Sequence, residues 1–294
     1  MVNDKTEDGL KAQSASYLIS LAPPCQLLEV VNDVRILANN NTEVLSKFSK
    51  SMLDHYIEQF HQVQLPGSEH KTILSKHGHL GKDLFICPRT HSKFTFNPEK
   101  NEVKNVEKAN PDNSANGSAD FEDWRLHLEK LFTDYVHKHF KDSCISVYAV
   151  IAGEVCKLAI CVESHYVKNE MSGRWRCEYT IDLPKHPAGS ELTVNGWIKV
   201  QTHLYEEGNV QLISSKDITM KMKAVNAEKF ANELLEKVQH EEDIYQVAIS
   251  ENFKAMSENI FKTLRRQLPV TKSKLDWNNI VKYQIGDEIS KSTV

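Results

Sequence analysis

Five basic side chains, Lys262, Arg265, Arg266, Lys272 and Lys274, fall in one stretch between Lys262 and Lys274 that contains no acid. The whole chain is mildly acidic, so this stretch runs against the trend and predicts a surface that attracts an acidic partner. Lys and Arg also favour the C-terminal pole of any helix. That simpler account covers Arg265 and Arg266 but not Lys272 and Lys274, which lie beyond Pro269, a residue that breaks a helix. Asp276 then caps a short amphipathic segment running to Ile289, with Trp277, Ile280, Val281, Ile285 and Ile289 on one face. The segment reads either as an ordinary helix packed on the body or as a docking helix anchored by Trp277.

Other constellations carry less chemistry. His77, His79, Cys87 and His91 form one drawable metal set, and Cys156, Cys161, His165 and Cys177 another. Neither has the close paired spacing of zinc frameworks, and buried thiols with surface histidines explain both. Cys156 and Cys161 would face opposite sides of a continuous strand. No metal or other cofactor is expected. The chain has no GxSxG, GxGxxG, Walker loop or HExxH. Glu163, Glu178, Glu206 and Glu207 are carboxylates without a recognisable catalytic context, and Glu206-Glu207-Gly208 is more simply a hairpin turn. An enzyme remains a remote alternative, since catalytic triads are recognised by geometry rather than motif.

These residues need positioning elements. Residues 10 to 60 have helical apolar spacing, divided by Pro23-Pro24 and Asn39-Asn40-Asn41 into about three helices. Short strand-like runs follow at Thr72 to Ser75 and Phe94 to Phe96. Asn97 to Asp120 is polar and reads as a loop, and Trp124 to Phe140 as a helix. Residues 143 to 223 read as a meander of about five antiparallel strands. Within it Arg174 to Asp182 alternates, with Trp175, Cys177, Tyr179 and Ile181 on one face and a polar or partnered opposite face. From Val225 to Leu268 there is no Gly or Pro, and Phe230, Leu234, Val238, Tyr245, Ile249 and later apolar residues keep one stripe. A helix of ~44 residues spans roughly 65 Å, more than five strands at about 4.8 Å each can cover. The surplus apolar stripe predicts a partner.

The fold class expected is α+β: N-terminal helices, then an antiparallel five-stranded sheet crossed by one long C-terminal helix, and last a short amphipathic helix. The expected organisation is a helical bundle over 1–62, a small strand region, polar loop and helix over 63–142, sheet and long helix over 143–268, and a C-terminal arm over 269–294. The chain has 294 residues, 36 basic and 40 acidic. That is enough for a sizeable core and gives no global case for nucleic-acid binding. No run approaches a membrane span and the N-terminus has no signal-like apolar core. Six cysteines without a CxxC read as free thiols in a reducing compartment.

The wording of Phe261 to Trp277, FKTLRRQLPVTKSKLDW, resembles the C-terminal signature of the alpha subunit of the F-actin capping protein family. Gln201 to Leu212, QTHLYEEGNVQL, resembles that family's other signature. Echoes lie at Ala22-Pro23-Pro24, Asn32-Asp33-Val34-Arg35, Cys161 to His165 and Gly173-Arg174-Trp175-Arg176. The chain departs from the pattern at Leu204, where an aromatic is usual, at Cys25-Gln26 for Gly-Glu, at Met171-Ser172 for Trp-Asn, and at Lys272 for Arg. The resemblance implies a heterodimer with a homologous beta subunit sharing one continuous sheet, capping the barbed end of actin filaments in the cytoplasmic cytoskeleton. It implies that Lys262, Arg266, Lys272 and Lys274 contact actin with Arg265 auxiliary, that Trp277, Ile280, Val281 and Ile285 belong to a docking "tentacle", and that a phosphoinositide inhibits. The rival reading of the basic arm, a nucleic-acid-binding module, lacks exposed aromatics interleaved with the charges.

Overall fold

The computed structural model describes residues 2–45, 47–108, 119–152, 155–169, 171–204 and 210–255. By contact clustering the chain divides into residues 1–239 and residues 240–294.

Helix α1 (Val2–Ser20) ends just before Pro23-Pro24, where two consecutive residues lack the donor a further turn would need. Helix α2 (Leu27–Leu37) ends at Asn39 and Asn40, whose φ of 49° and 53° turn the chain out of the helix. Helices α3 (Thr42–Leu45) and α4 (Phe48–Glu58) follow. Strands β1 (Gln62–Gln64) and β2 (Lys71–Ile73) pair antiparallel, and β3 (His79–Gly81), β4 (Leu84–Cys87), β5 (Ser92–Asn97) and β6 (Glu102–Lys108) form a four-stranded sheet in sequence order. One apolar core joins the helices to these strands: Ile19, Phe48 and Met52 are buried in the same cluster as Phe85, Phe94 and Phe96.

Strand β6 corrects the expectation of a loop throughout 97 to 120. Its side chains are exposed except for half-buried Val103, yet its backbone pairs with β5 from Ser92↔Lys108 to Asn97↔Glu102. An edge strand held by its backbone needs no apolar alternation, so pattern reading does not see it. Helix α5 (Ala119–His139) likewise starts ahead of Trp124, with Phe121 of its first turn buried.

The main sheet is the expected five-stranded antiparallel meander: β7 (Ser143–Ala152), β8 (Val155–Lys168), β9 (Met171–Pro184), β10 (Glu191–Leu204) and β11 (Val210–Lys223), neighbours in sequence order. The register sorts its side chains into two faces. Val147, Ile160, Tyr179, Ile181, Val194 and Ile218 share one. Tyr148, Cys161, Glu163, Arg174, Arg176 and Glu178 share the other. Helix α5 packs on β7 and β8, and helix α6 (Ala227–Ala255) packs Phe230 against Trp124 of α5, their tilted rings 5.5 Å apart. Asn226 caps α6, its Oδ1 accepting from the Lys229 amide at 2.8 Å. The second face is covered too: Phe60, Ile73, Cys144, Tyr148 and Cys161 form one buried cluster, and Ser146 Oγ accepts from the Ile73 amide at 3.1 Å. The polar face of β9 is therefore partnered rather than solvated.

Gly196 marks the tightest point of the sheet. A Cβ there would lie 2.4 Å from Tyr179 Cδ1 and 2.7 Å from the Glu178 carbonyl. In residues 240–255 the helix continues, with Ile244 and Val247 exposed on it.

Candidate functional site

The sequence-predicted contact residues, Lys262, Arg265, Arg266, Lys272, Lys274, Trp277, Ile280, Val281 and Ile285, lie outside the described residues. So do Tyr205 to Asn209 of the second signature, with the expected hairpin turn. What the described residues place is the five-stranded sheet, its open edge at β11, and a buried polar junction on its inner face.

The edge is β11. It pairs with β10 from Glu191↔Lys223 to Leu204↔Val210, and among the described residues nothing pairs with its other side. Along it the side chains alternate between covered and exposed, with Ile213 65% exposed. Its charges, Lys216, Asp217, Lys221 and Lys223, are confined to one part. Val210 to Ser215 carries none. Edge charges are a usual guard against unwanted pairing, and this part of the strand lacks them.

The junction gathers two of the four sequence echoes, Cys161 to His165 and Gly173 to Arg176. Glu163 on β8 is 0% exposed. Arg174 on the neighbouring strand brings Nε to 2.9 Å from Glu163 Oε1. His165 Nδ1 lies 3.2 Å from the same oxygen. Gln62 of β1 donates from Nε2 to Glu163 Oε2 and to the Asp142 carbonyl, the latter at 2.8 Å. Arg176, two positions along β9, donates to the Glu58 carbonyl that ends α4 and to Gln201 Oε1 of β10 at 2.9 Å. Arg174 Nη2 also reaches Cys25 Sγ at 3.4 Å. The site thus ties β8, β9 and β10 to α4, β1 and the turn after Pro24.

Its electrostatics are cationic. Burial, then the neighbouring Arg174, lowers the Arg176 guanidinium to about 10. Burial, then Arg174 and Arg176, lowers the His55 imidazole to about 4, so it is neutral in the folded protein. Cys25 has φ 64°, in the left-handed region, at the position where the resembled family has glycine. Sequence reasoning quoted the residues of this junction but missed its partners: Gln62 and Glu163 are separated by 101 positions, and no local pattern links them.

A second buried network holds α5. Arg125 pairs with Glu122 and with Glu129 at 2.6 Å each, and Arg89 Nε meets Glu129 Oε1 at 2.6 Å. Burial pushes the Glu129 carboxyl up, but Arg89 and Arg125 outweigh it and hold it below its usual value. Every partner is satisfied by its neighbour, so this reads as a structural brace.

The layered architecture is a five-stranded antiparallel meander with helices on one face and an N-terminal α/β module on the other. A solved chain described as the homodimeric actin capping protein alpha subunit from Plasmodium berghei superposes with a TM-score of 0.69 at 16% identity, covering 82% of this chain and 92% of that one. The family model for the F-actin capping protein alpha subunit matches residues 15–288. The F-actin-capping protein subunit alpha of Caenorhabditis elegans is 34% identical over 96% of this chain and 98% of its own. That of Chaetomium thermophilum is 31% identical over 95% and 97%. The chain belongs to the F-actin capping protein alpha-subunit family. Its relatives are named for actin capping and not for catalysis. Among the described residues no helix is long and apolar enough to cross a membrane.

Proposed function

We propose that this chain is the alpha subunit of a heterodimer that caps the barbed end of actin filaments, blocking subunit addition and loss without chemistry. The observation that carries the reading is the open edge of β11. At about 3.4 Å per residue, its fourteen residues offer roughly 48 Å of unpaired backbone. A homologous beta subunit adding its own edge strand would satisfy those groups and extend the sheet.

The capping contacts are assigned to the arm. Lys262, Arg266, Lys272 and Lys274, with Arg265 auxiliary, steer the subunit onto the acidic filament end. The segment carrying Trp277, Ile280, Val281 and Ile285 then docks and slows release. A phosphoinositide headgroup would compete for the same charges, at about 1 kcal/mol per basic residue near a membrane surface. The protein works in the cytoplasm, at the actin cytoskeleton.

Co-expression with a beta subunit, sizing by light scattering and seeded actin elongation test this. A one-to-one heterodimer that stops barbed-end elongation is expected. A monodisperse, cooperatively melting monomer would overturn the pairing, and a heterodimer that leaves elongation unchanged would overturn the capping role.

A further inference from the structure

Three ligand-type side chains meet on the inner face of the sheet, away from the Glu163 junction. Cys161 on β8 and Glu178 on β9 are direct cross-strand partners. His77 reaches them from the turn before β3. The His77 nitrogen, the Cys161 sulfur and a Glu178 carboxylate oxygen all lie within 4.8 Å of one another. The two sets that sequence spacing suggests keep His77 and Cys161 apart. The fold takes one member from each and adds Glu178.

The group is built as a site. Cys161 is 0% exposed, and the side chains of Glu178 and His77 are 6% and 10% exposed. His77 Nε2 and Glu178 Oε2 face each other at 3.3 Å as a buried ion-pair contact, and neither atom has a further hydrogen-bond partner. That separation matches the edge of a tetrahedron with metal bonds of about 2.0–2.1 Å, which is roughly 3.4 Å. Lys76 Nζ occupies the other carboxylate oxygen, Oε1, at 2.9 Å, so Oε2 is left to point inward. The His77 ring lies 6.3 Å from that of Tyr148. Gly78 lets the turn approach, since a Cβ there would meet Tyr148 Cε1 at 2.6 Å.

We infer that His77, Cys161 and Glu178 form a binding site for one divalent transition-metal ion, zinc by the chemistry of its donors. One imidazole, one thiolate and one carboxylate suit a borderline-soft ion and not calcium or magnesium. A thiolate and a carboxylate neutralise the 2+ charge, so the buried complex carries no net charge. Binding displaces the Cys161 thiol proton to solvent and leaves a fourth position for water. Lys76 acts from outside the site by orienting the carboxylate. The ion staples the 76–78 turn to β8 and β9, and with it the N-terminal module to the sheet.

The test uses the full chain in its purified, partner-bound form, stripped with a chelator and titrated with zinc alone and then with cobalt alone. The expected results are one saturable zinc per chain, a thiolate-to-cobalt absorption band, and a rise in melting temperature with zinc. Cys161→Ser should abolish the band and weaken zinc binding at least tenfold, and His77→Gln should weaken it likewise. Cys156→Ser, on the opposite face of β8, should change neither. If Cys161→Ser fails to fold, His77→Gln on the turn decides the question by the same titration. Absence of saturable binding to wild type, or binding that survives His77→Gln at full strength, overturns the site.

Discussion

Glu163→Gln is the sharpest perturbation of the inner face. The wild-type carboxylate is fully buried between Arg174, His165 and Gln62, and Arg176 lies two residues further along the same strand as Arg174. The amide keeps the shape but removes the only carboxylate that contacts Arg174 among the described residues. Stranding a buried guanidinium in this way costs about 3–5 kcal/mol. With a urea dependence of about 3 kcal/mol per molar, such a loss lowers the unfolding midpoint by roughly 1–2 M at unchanged slope. Replacing both partners, Glu163→Leu with Arg174→Met, removes both desolvation penalties. The double change should then cost well under the sum of the singles, with a coupling of at least about 2 kcal/mol. Urea unfolding followed by circular dichroism, at one protein concentration because any subunit that binds only the folded chain would add to stability, measures all four corners. A midpoint shift below about 0.3 M for Glu163→Gln, or single costs that add within about 0.5 kcal/mol, would refute the reading of this junction as a buried ionic clamp.

Other outcomes follow from single positions. Gly196→Ala must push against the Glu178 carbonyl, which is backbone and cannot rotate away, so a loss of about 1–3 kcal/mol in thermal or urea melts is expected. Cys25→Gly relieves a left-handed backbone that Cys25→Ala retains, while both lose the sulfur that accepts from Arg174; the glycine variant should be the more stable by about 1 kcal/mol, and equal midpoints would contradict the strain. His55 is held near 4 in the folded state by burial and by Arg174 and Arg176, below the ordinary 6.5 of the unfolded chain. The unfolded chain therefore takes up the proton first, and stability falls as pH drops from about 6.5 towards 4, by up to about 3 kcal/mol. His55→Gln should flatten that part of the stability profile. Neutralising Lys262, Arg266, Lys272 and Lys274 together should cut the association rate with filament ends and its salt dependence, read from elongation kinetics at several ionic strengths, whereas truncation after Lys274 should mainly raise the dissociation rate. The same quadruple change should abolish binding to phosphoinositide liposomes if the headgroup uses those charges.

Elements that bury one apolar face were legible in the sequence. The meander announced itself through the alternation from Arg174 to Asp182, and helix α6 through Phe230, Leu234 and Val238, all of which are buried. Strand β6 was not legible, because its residues bury almost nothing and its order comes from backbone pairing. The inner face of the sheet was half legible. Arg174, Arg176 and Glu178 alternate correctly with the apolar set, but charges on a strand look the same whether water or another layer faces them. What distinguishes the two cases lies far away in sequence, in Gln62, Glu58 and His77. Cys161 and His77 were visible as potential ligands but were grouped by proximity along the chain, which the turn over the sheet overrides.

That buried polar face also bears on how the open edge is placed. Side chains alternate with a period of two, so a one-residue slip of β9 would carry Arg174, Arg176 and Glu178 onto the apolar face beneath α5 and place Trp175, Cys177 and Tyr179 among the charges. An entirely apolar sandwich would resist such a slip only by packing, since either face would accept the other's residues at modest cost. Here each wrong register strands several charges without partners, at several kcal/mol. The pairing of β9 with β8 and β10 is therefore specified from both faces, and β10 in turn sets the register of β11. A partner strand that reads the backbone of Val210 to Ser215 needs that edge in one position only. The Glu163 junction supplies that precision.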